Sequence, residues 1–352
     1  MSMAINFDEL LQEIKTVKNL DIFLKPSEQK RFSQDFFEYS PVLTEQLANC
    51  CADLVVRPLS VEAVIVVANI CQKNQIPLTL RGSGTGNYGQ CVPLEGGVVM
   101  LMTSLNKVKD FNSSTGEVTV ESGCLLGDLN MFLLKKRRQL RLLPSTWRTA
   151  SVAGFVAGGS GGIGSVRWGF LRDPGHLLGL EIVTLDENPK KIQLDATSSE
   201  GLNHAYGTNG IITALTLSTC PAIDWQEVAI DCRDFDNAIK ILQVCTSAAV
   251  DLFLCSLLEK EIVECIPTWS GEVSGQNRLL ILVAPDGVTT LERFAQTYGA
   301  EFNHLGSEKE RTGNGLRELS WNHTTLHMRT VNSDLTDLQM LLPQPEMNFI
   351  KT

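Results

Sequence analysis

Two glycine-rich segments constrain this chain more than any other feature of its sequence. The first is the loop Arg81-Gly82-Ser83-Gly84-Thr85-Gly86, which directly follows the strand-like residues 76–80. The second begins near Pro144 and ends with GGSGGIGS at residues 158–165. So much glycine is entropically costly unless another group must lie against bare backbone. We therefore expect a flat ligand to lie along the second segment.

The first loop has the composition of an anion cradle. Glycine at alternating positions lets successive backbone N–H groups converge on one anion, because a chain without Cβ atoms can adopt positive φ angles. Arg81 could neutralise phosphate charge, and Thr85 and Asn87 could add side-chain hydrogen bonds. The loop therefore predicts a diphosphate site, although a surface turn would be an equal alternative if this motif stood alone.

The second segment also contains the dinucleotide-binding pattern GxGxxG, at Gly159, Gly161 and Gly164. In nicotinamide-dependent dehydrogenases that pattern opens a helix within a β-α-β unit. Here Gly169 and Pro174 follow too closely for such a helix, and Pro93 follows the first loop just as closely. The sequence therefore argues against a Rossmann site.

The charge of the chain argues against nucleic acid as a partner. Forty Asp and Glu residues outnumber thirty Lys and Arg residues, which gives a formal net charge of −10 and repels polyphosphate backbones. The densest basic run, residues 135–138, follows a predicted helix over 125–134. There it would complement the C-terminal helix dipole, with a binding patch as the alternative.

Targeting and redox features favour the cytoplasm. Acidic Asp8 and Glu9 stand where a signal peptide would need a basic region followed by an apolar one. The longest uncharged stretch, residues 150–166, is nearly long enough to span a bilayer, but its six glycines indicate a loop. Ten cysteines without a CxxC pair are typical of small buried residues in a reducing compartment. We therefore expect a cytoplasmic protein without a membrane span or a bound metal.

The length of 352 residues predicts about two domains. Residues 1–50 form a predicted N-terminal helical arm, and residues 51–222 form an α+β assembly that starts with a β-α-β unit. Residues 223–352 form a second domain with the element order of a ferredoxin-like fold: strand 227–231, helix 235–247, strand 252–258, strand 279–283 and helix 289–298. The polar stretch after Gly306 has no evident closing element, so we expect this domain to be incomplete at its C-terminus.

Seven segments between residues 51 and 222 occur in the order found in a known family: VVRPLSVEAV, PLTLRGSGTG, GGVVMLMTSLNKV, VTVESGCLLGDLN, PSTWRTASVAGFVAGGSGGIGSVRWGFLRD, LLGLEIVTLD and GTNGIITALTL. This region resembles the PCMH-type FAD-binding domain of the vanillyl-alcohol oxidase and p-cresol methylhydroxylase superfamily. It is most similar to the branch of the glycolate oxidase subunit and D-lactate dehydrogenase. The resemblance implies FAD between two α+β subdomains, with a second domain that covers the isoalloxazine ring and shapes the substrate pocket.

The resemblance also implies which residues bind FAD. The diphosphate loop would be Gly82, Ser83, Gly84, Thr85 and Gly86, flanked by Arg81 and Asn87. The positions that line the flavin correspond to Pro144, Ser145, Ser151, Val152, Gly154, Gly162 and Ser165. Ile211 and Ile212 match a strand whose backbone contacts either the adenine end or the dimethylbenzene region.

The chain departs from the family pattern at two places. Branches that attach FAD through histidine carry it where this chain has Ser83-Gly84-Thr85, and the cysteine of the doubly linked branch would lie near Thr149. We therefore expect FAD to be bound without a covalent bond. The metal-binding HxGDGNxH-type segment of the glycolate and D-lactate branch does not occur in the C-terminal half, so metal-assisted oxidation is not expected.

Together these features predict an FAD-dependent oxidoreductase that oxidises a small alcohol or hydroxy acid by hydride transfer to FAD. This reaction needs a base for the hydroxyl proton and a cation for any carboxylate. His323 and His327 would share one face of a helix or a strand and are the candidate bases, with surface histidines as the alternative. Arg167 and Arg172 are candidates for binding the substrate anion, with structural ion pairs as the alternative.

A second hypothesis is an FAD-binding subunit of a larger redox complex, without independent catalysis. The missing metal segment and the short C-terminal region motivate it. The expected partners are a small-molecule substrate and an electron acceptor, which could be oxygen, a quinone or a protein.

Overall fold

The computed structural model describes residues 7–159, 161–266, 275–310, 315–320 and 322–335, whose strands form three sheets. The first sheet contains Leu20–Phe23 (β1), Leu54–Pro58 (β2), Leu78–Arg81 (β3) and Val98–Leu101 (β4), in the spatial order β1-β2-β4-β3. β4 is parallel to β2 and β3, whereas β1 is antiparallel to β2. The helices of this region are Phe7–Lys15 (α1), Pro26–Phe32 (α2), Pro41–Leu47 (α3) and Val61–Lys73 (α4).

Helix α4 joins β2 to β3 in the predicted β-α-β unit. The Ser60 hydroxyl accepts a hydrogen bond from the Ala63 N–H at 3.3 Å, which caps the helix. Val64 and Val67 are fully buried in the core shared with α1 and the sheet. β3 then leads directly into the glycine-rich loop, which therefore lies at the carboxyl edge of the parallel strands.

The N-terminal arm differs from the expected helical segment, because β1 adds a strand to the edge of the first sheet. Asp21 and Arg57 face each other across β1 and β2 and form an ion pair at 2.5 Å. The rings of Phe23 and Phe32 pack edge-on with centroids 5.3 Å apart. These cross-strand and ring contacts override the local preference of the segment, since strand formation depends on neighbouring strands.

The second sheet is antiparallel. It contains Val108–Phe111 (β5), Glu117–Glu121 (β6), Leu177–Val183 (β8), Lys191–Asp195 (β9) and Ile211–Pro221 (β10) in the order β5-β6-β10-β8-β9, and Arg138–Leu140 (β7) pairs with the end of β10. Its helices are Leu126–Leu134 (α5), Val152–Gly158 (α6), Ser165–Trp168 (α7) and Ala196–Ser199 (α8). The long strand β10 is central, because it pairs with β6, β7 and β8.

Helix α6 lies inside the stretch that the sequence predicts to be a loop. It forms because Val152, Phe155 and Val156 bury one face of the turn in the core of the second sheet. It ends at Gly159, whose φ of 66° is the left-handed conformation that commonly terminates helices. The glycines of the second segment therefore occur both in a short helix and in the loop that follows it.

The third sheet belongs to the C-terminal domain. It contains Gln226–Cys232 (β11), Leu252–Leu258 (β12), Asn277–Val283 (β13) and Glu301–Ser307 (β14) in the order β12-β13-β11-β14, with all pairs antiparallel. The helices of this domain are Phe235–Ser247 (α9), Lys260–Glu264 (α10), Val288–Thr297 (α11) and Asn322–Val331 (α12). This order confirms the predicted ferredoxin-like fold. The sequence did not predict β14, because it is a half-exposed edge strand without a clear apolar alternation.

The remaining described helices are short 3-10 turns at Phe37–Tyr39, Met102–Ser104, Glu200–Leu202, Pro285–Gly287, Glu308–Glu310 and Leu316–Leu319. No helix within the described ranges is long and apolar enough to cross a bilayer. The expectation of an incomplete C-terminal domain concerns mainly residues 336–352, which lie outside the described part of the chain.

A buried ion pair inside the third sheet gives a test of this domain. Arg278 Nε and Nη2 donate to the two carboxylate oxygens of Asp231 at 2.7 and 2.9 Å, and Asn303 Nδ2 donates at 2.9 Å. Asp231→Ala should destabilise the domain by about 3–5 kcal/mol, because it removes the carboxylate that accepts two hydrogen bonds from a buried guanidinium. Glu292→Ala on the exposed side of α11 is the control, with an expected change within about 0.5 kcal/mol. Equal urea midpoints for the two variants, measured by circular dichroism, would contradict this account.

Candidate active site

A cavity of about 560 Å³ lies where loops of the first two sheets meet α12. One wall is the loop after β3, residues 81–87. Residues 144–146 and most of residues 150–159 form a second wall, and α12 adds His323 and Leu326. A concave pocket with a few convergent polar groups is typical of small-molecule and cofactor sites.

Bare backbone forms part of the cavity wall. A Cβ atom on Gly82 would strike the Ser151 hydroxyl, and one on Gly154 would lie 2.7 Å from the same oxygen. Gly84 has a φ of +71°, and its Cβ would fall on the Arg81 guanidinium. A side chain at any of these positions would displace the Ser151 hydroxyl or the Arg81 guanidinium, and the positive φ of Gly84 also favours glycine there.

Four buried polar side-chain atoms of the cavity wall have no hydrogen-bond partner among the described residues. They are Ser83 Oγ, Asn87 Nδ2, Ser122 Oγ and Ser151 Oγ. Ser151 stands at the N-cap position of α6, yet its hydroxyl caps no backbone N–H. Burying a polar atom without a partner costs free energy, and native structures contain few such atoms. The cluster therefore indicates a ligand that supplies the missing hydrogen bonds.

The charged residues of the cavity lie next to the glycine-rich loop. Arg81 is 8% exposed, and its Nη1 donates to Cys91 Sγ at 3.1 Å. Burial raises the pKa of the Cys91 thiol to about 11, which keeps it protonated near neutral pH. Burial also raises the pKa of Asp35, whose Oδ1 accepts the Phe37 N–H at 2.9 Å. The loop thus has one guanidinium positioned to offset the charge of a bound anion.

His323 faces the cavity from α12 with its ring proton fixed. Its Nδ1 is hydrogen-bonded to the backbone oxygen of Glu318, and a carbonyl oxygen can only accept. Nδ1 must therefore be the donor, so the neutral ring carries its proton there. Nε2 is then the basic nitrogen of the ring.

Glu318 links the His323 segment to the second wall. Its Oε1 accepts hydrogen bonds from Arg148 Nε at 2.8 Å and from Trp147 Nε1 at 3.3 Å. Its Oε2 accepts the Gly315 N–H at 2.9 Å. One carboxylate therefore holds the loop after Pro144 and the turn before α12 together, while its backbone orients the histidine.

Segments far apart in the sequence close one side of the cavity. Phe36 and Tyr39 of the N-terminal arm line it, and the Phe36 N–H donates to the Gly86 oxygen at 2.9 Å. Arg329 of α12 donates to the backbone oxygen of Glu38. The arm and the last described helix are thus in direct contact beside the cavity.

The residues predicted to bind the cofactor fall into two groups. The residues that line the cavity are Arg81, Gly82, Ser83, Gly84, Thr85, Gly86, Asn87, Pro144, Ser145, Ser151, Gly154, Gly162 and Ile212. Val152 and Ile211 are instead fully buried in the two hydrophobic cores, and Ser165 begins α7.

The predicted catalytic residues are also separated in the structure. His323 lines the cavity, whereas His327, one turn further along α12, is not among the lining residues. Burial and the neighbouring His323 lower the pKa of His327. Arg167 lies elsewhere, because its guanidinium pairs with Asp251 at 2.6 Å and lies over the Trp168 ring. Arg167 is therefore not placed to meet a substrate in this cavity.

Sequence reasoning missed lining residues that come from distant parts of the chain. Asp35 belongs to the N-terminal arm, where no motif marked it as a site residue. His204 and Tyr206 precede β10, and their side chains are hydrogen-bonded at 2.8 Å. Both have positive φ angles, 61° and 51°. Non-glycine residues in this conformation are strained, and such strain gathers at functional sites.

Comparisons with known proteins agree with this geometry. Residues 52–191 match the family described as an FAD binding domain. D-lactate dehydrogenase of Anaerostipes hadrus is 33% identical over 175 residues, which cover 48% of this chain and 37% of that protein. Mitochondrial D-2-hydroxyglutarate dehydrogenase of Rattus norvegicus is 26% identical over 318 residues, or 84% and 56% of the two chains. Glycolate oxidase subunit GlcD of Escherichia coli (strain K12) is 28% identical over 174 residues, or 48% and 34%.

The fold has a counterpart among solved structures. A structure of alkyldihydroxyacetonephosphate synthase superposes with a TM-score of 0.75 at 18% identity, covering 93% of this chain and 69% of that chain. The chain spans between 34% and 56% of the length of the three curated relatives. The family match and these relatives confirm the resemblance found in the sequence: residues 52–191 are similar to the FAD-binding domain of PCMH-type oxidoreductases.

Proposed function

We propose that this chain binds FAD in the cavity without a covalent bond and oxidises the C–OH group of a small hydroxy acid. The observation that carries the proposal is the cavity wall, where bare glycine backbone and unpaired buried polar atoms lie in the same space as a histidine with a fixed ring proton. Bound FAD would supply the hydride acceptor. The names of the three relatives favour a hydroxy acid over a simple alcohol.

The lining residues fit a dinucleotide with a diphosphate. In the proposal, the backbone from Gly82 to Gly86 and the guanidinium of Arg81 bind the diphosphate, because they combine converging N–H groups with one positive charge. The hydroxyl groups of Ser122 and Ser151 and the Asn87 amide would gain partners from the cofactor. Val152, Ile211 and Ser165 would support the site from behind.

His323 is the proposed base. In the neutral ring its Nε2 takes the hydroxyl proton of the substrate as hydride leaves carbon, while the Nδ1–H remains bonded to the Glu318 oxygen. The Glu318 carboxylate has a positioning role, because it holds the turn that carries this oxygen against the Arg148 side chain. His327 and Arg167 have no part in the proposed chemistry.

Two observations support a non-covalent flavin. No histidine occurs at Ser83-Gly84-Thr85, and Thr149 has no cysteine beside it. Cys91 does line the cavity, but its raised pKa disfavours the thiolate that would be needed for attachment.

We also propose a cytoplasmic location, supported by ten cysteines that are all free, as in a reducing compartment.

A second candidate function is an FAD-binding subunit whose catalytic part lies on a partner chain. The observation that favours it is the lining of the cavity, in which Arg81 is the one arginine or lysine among the described residues and already lies at the glycine-rich loop. A relative named as a glycolate oxidase subunit points the same way. Turnover of hydroxy acids by the purified chain with an artificial electron acceptor would exclude this candidate.

The role of His323 can be tested with one matched pair of variants. His323→Asn keeps a donor for the Glu318 oxygen but removes the basic nitrogen, so flavin reduction by substrate should slow by about 10²–10⁴-fold. His327→Asn should reduce at nearly the wild-type rate. The measurement is anaerobic stopped-flow bleaching of the flavin, after a panel of hydroxy acids and alcohols has identified a substrate. Equal rates for His323→Asn and the wild type, at equal flavin content, would show that the base is another group.

The mode of flavin attachment is tested by acid precipitation. The flavin absorbance should appear in the supernatant in the amount that the native protein contained, because hydrogen bonds and charge alone hold the cofactor. Yellow colour that stays with the washed precipitate would mean a covalent bond.

The role of the glycine-rich loop is tested by substituting aspartate at two glycines that have similar backbone conformations. Gly84→Asp should give folded but colourless protein, because the new carboxylate would lie at the Arg81 guanidinium and repel a diphosphate. Gly299→Asp is the control, since Gly299 also has a positive φ, 66°, but nothing lies within 4 Å of its Cβ position. The measurement is the ratio of flavin to protein absorbance. Full flavin content in Gly84→Asp would show that this loop is only a turn.

A further inference from the structure

A second cleft, of about 360 Å³, collects three arginines in a chain whose net charge is −10. Arg138, Arg141 and Arg167 line it together with Trp168 and Thr219. No carboxylate occurs among the described residues that line it. Three guanidinium groups repel one another, so their convergence is costly unless an anion offsets it.

Protein contacts hold the Arg138 and Arg141 guanidinium groups without neutralising them. Arg138 Nε and Nη2 donate to the hydroxyl and backbone oxygens of Thr219, both at 2.9 Å. Arg141 Nη1 donates to the Gly175 oxygen at 3.0 Å. These acceptors are uncharged, and every guanidinium has five N–H donors, so each retains donors for a ligand.

One further observation points to a missing anion, and one ion pair sets how much positive charge remains. Arg141 Nε is buried and has no partner in the described structure. Arg167 pairs with Asp251, which offsets one of the three positive charges, and its guanidinium lies over the Trp168 ring at 4.9 Å. The local balance is therefore two positive charges, fixed in place by packing and hydrogen bonds.

We propose that this cleft binds a compact dianion, namely a phosphate group or a small dicarboxylate. Guanidinium groups suit both ligands, because their planar pairs of N–H donors match the oxygen pairs of phosphate and carboxylate. The cleft is separate from the FAD cavity but shares its framework. Leu143 and Ile163 exchange two backbone hydrogen bonds. Leu143 lies between Arg141 of the cleft and Pro144 of the FAD cavity. Ile163 lies between Gly162 of the FAD cavity and Arg167 of the cleft.

The test is calorimetric titration of the flavin-loaded protein, in which the diphosphate cradle is already filled. Inorganic phosphate and malonate are the two dianion arms, and acetate is the monoanion arm. We expect saturable binding of at least one dianion with a dissociation constant of about 0.1–1 mM at low salt, and acetate binding at least about ten-fold weaker. Which dianion binds more tightly distinguishes the two ligand sources.

Three variants make the assignment specific to the cleft. Arg141→Gln should weaken binding by about 10- to 100-fold, because it removes a charged donor. Arg172→Gln, an exposed arginine that lies over Phe170 outside the cleft, should leave binding unchanged. Asp251→Asn should tighten binding, because it removes the carboxylate that pairs with Arg167.

The outcomes decide the proposal independently of the flavin chemistry. No saturable heat with either dianion up to about 50 mM would overturn it, as would equal affinities for wild type, Arg141→Gln and Asp251→Asn. Opposite shifts in Arg141→Gln and Asp251→Asn, with an unchanged Arg172→Gln, would establish it. These variants lie outside the proposed FAD site, so their flavin content serves as a check on folding.

Discussion

The cavity depends on the close approach of two stretches of bare backbone. A Cβ atom on Gly82 would collide with the Ser151 hydroxyl and lie 3.8 Å from the Cα atom of Gly154. The loop after β3 belongs to the first sheet, whereas α6 packs on the second. The two subdomains therefore approach closely along this line, with Gly82 on one side and Ser151 and Gly154 on the other, and their junction is also part of the cavity wall. The Ser151 hydroxyl is buried at this junction and has no hydrogen-bond partner among the residues that the structure describes.

The C-terminal domain completes this arrangement through a small number of polar contacts. Glu318 accepts hydrogen bonds from Trp147 and Arg148 of the second segment, and its backbone oxygen fixes the His323 ring. The group proposed to move a proton is thus oriented by the same residue that connects the domains. A change in how the domains pack would alter both the cavity and the orientation of the histidine.

Local patterns in the sequence predicted local structure well. The predicted bounds of α9 and β12 agree with the structure, because the apolar periodicity of each segment is local to it. The Asp234 side chain also caps the start of α9. The strand β1 and the helix α6 were not predicted, because a partner strand or a buried face supplied by distant residues decides them. The same reason applies to the site. The loop of residues 81–87 was recognisable as a motif, whereas only the tertiary fold places Asp35 and His204 at the cavity. Arg167 forms an ion pair with Asp251 outside the cavity, which the sequence did not predict.

The contact between Arg329 and the backbone of Glu38 joins two parts of the chain that are translated at different times. Both glycine-rich segments and the first two sheets are translated before α12, so the nascent chain can assemble most of the cavity while the side formed by His323 and Leu326 is still missing. Domains generally fold in the order of their synthesis. The part of the wall that carries His323 therefore joins the cavity after both glycine-rich segments have been made.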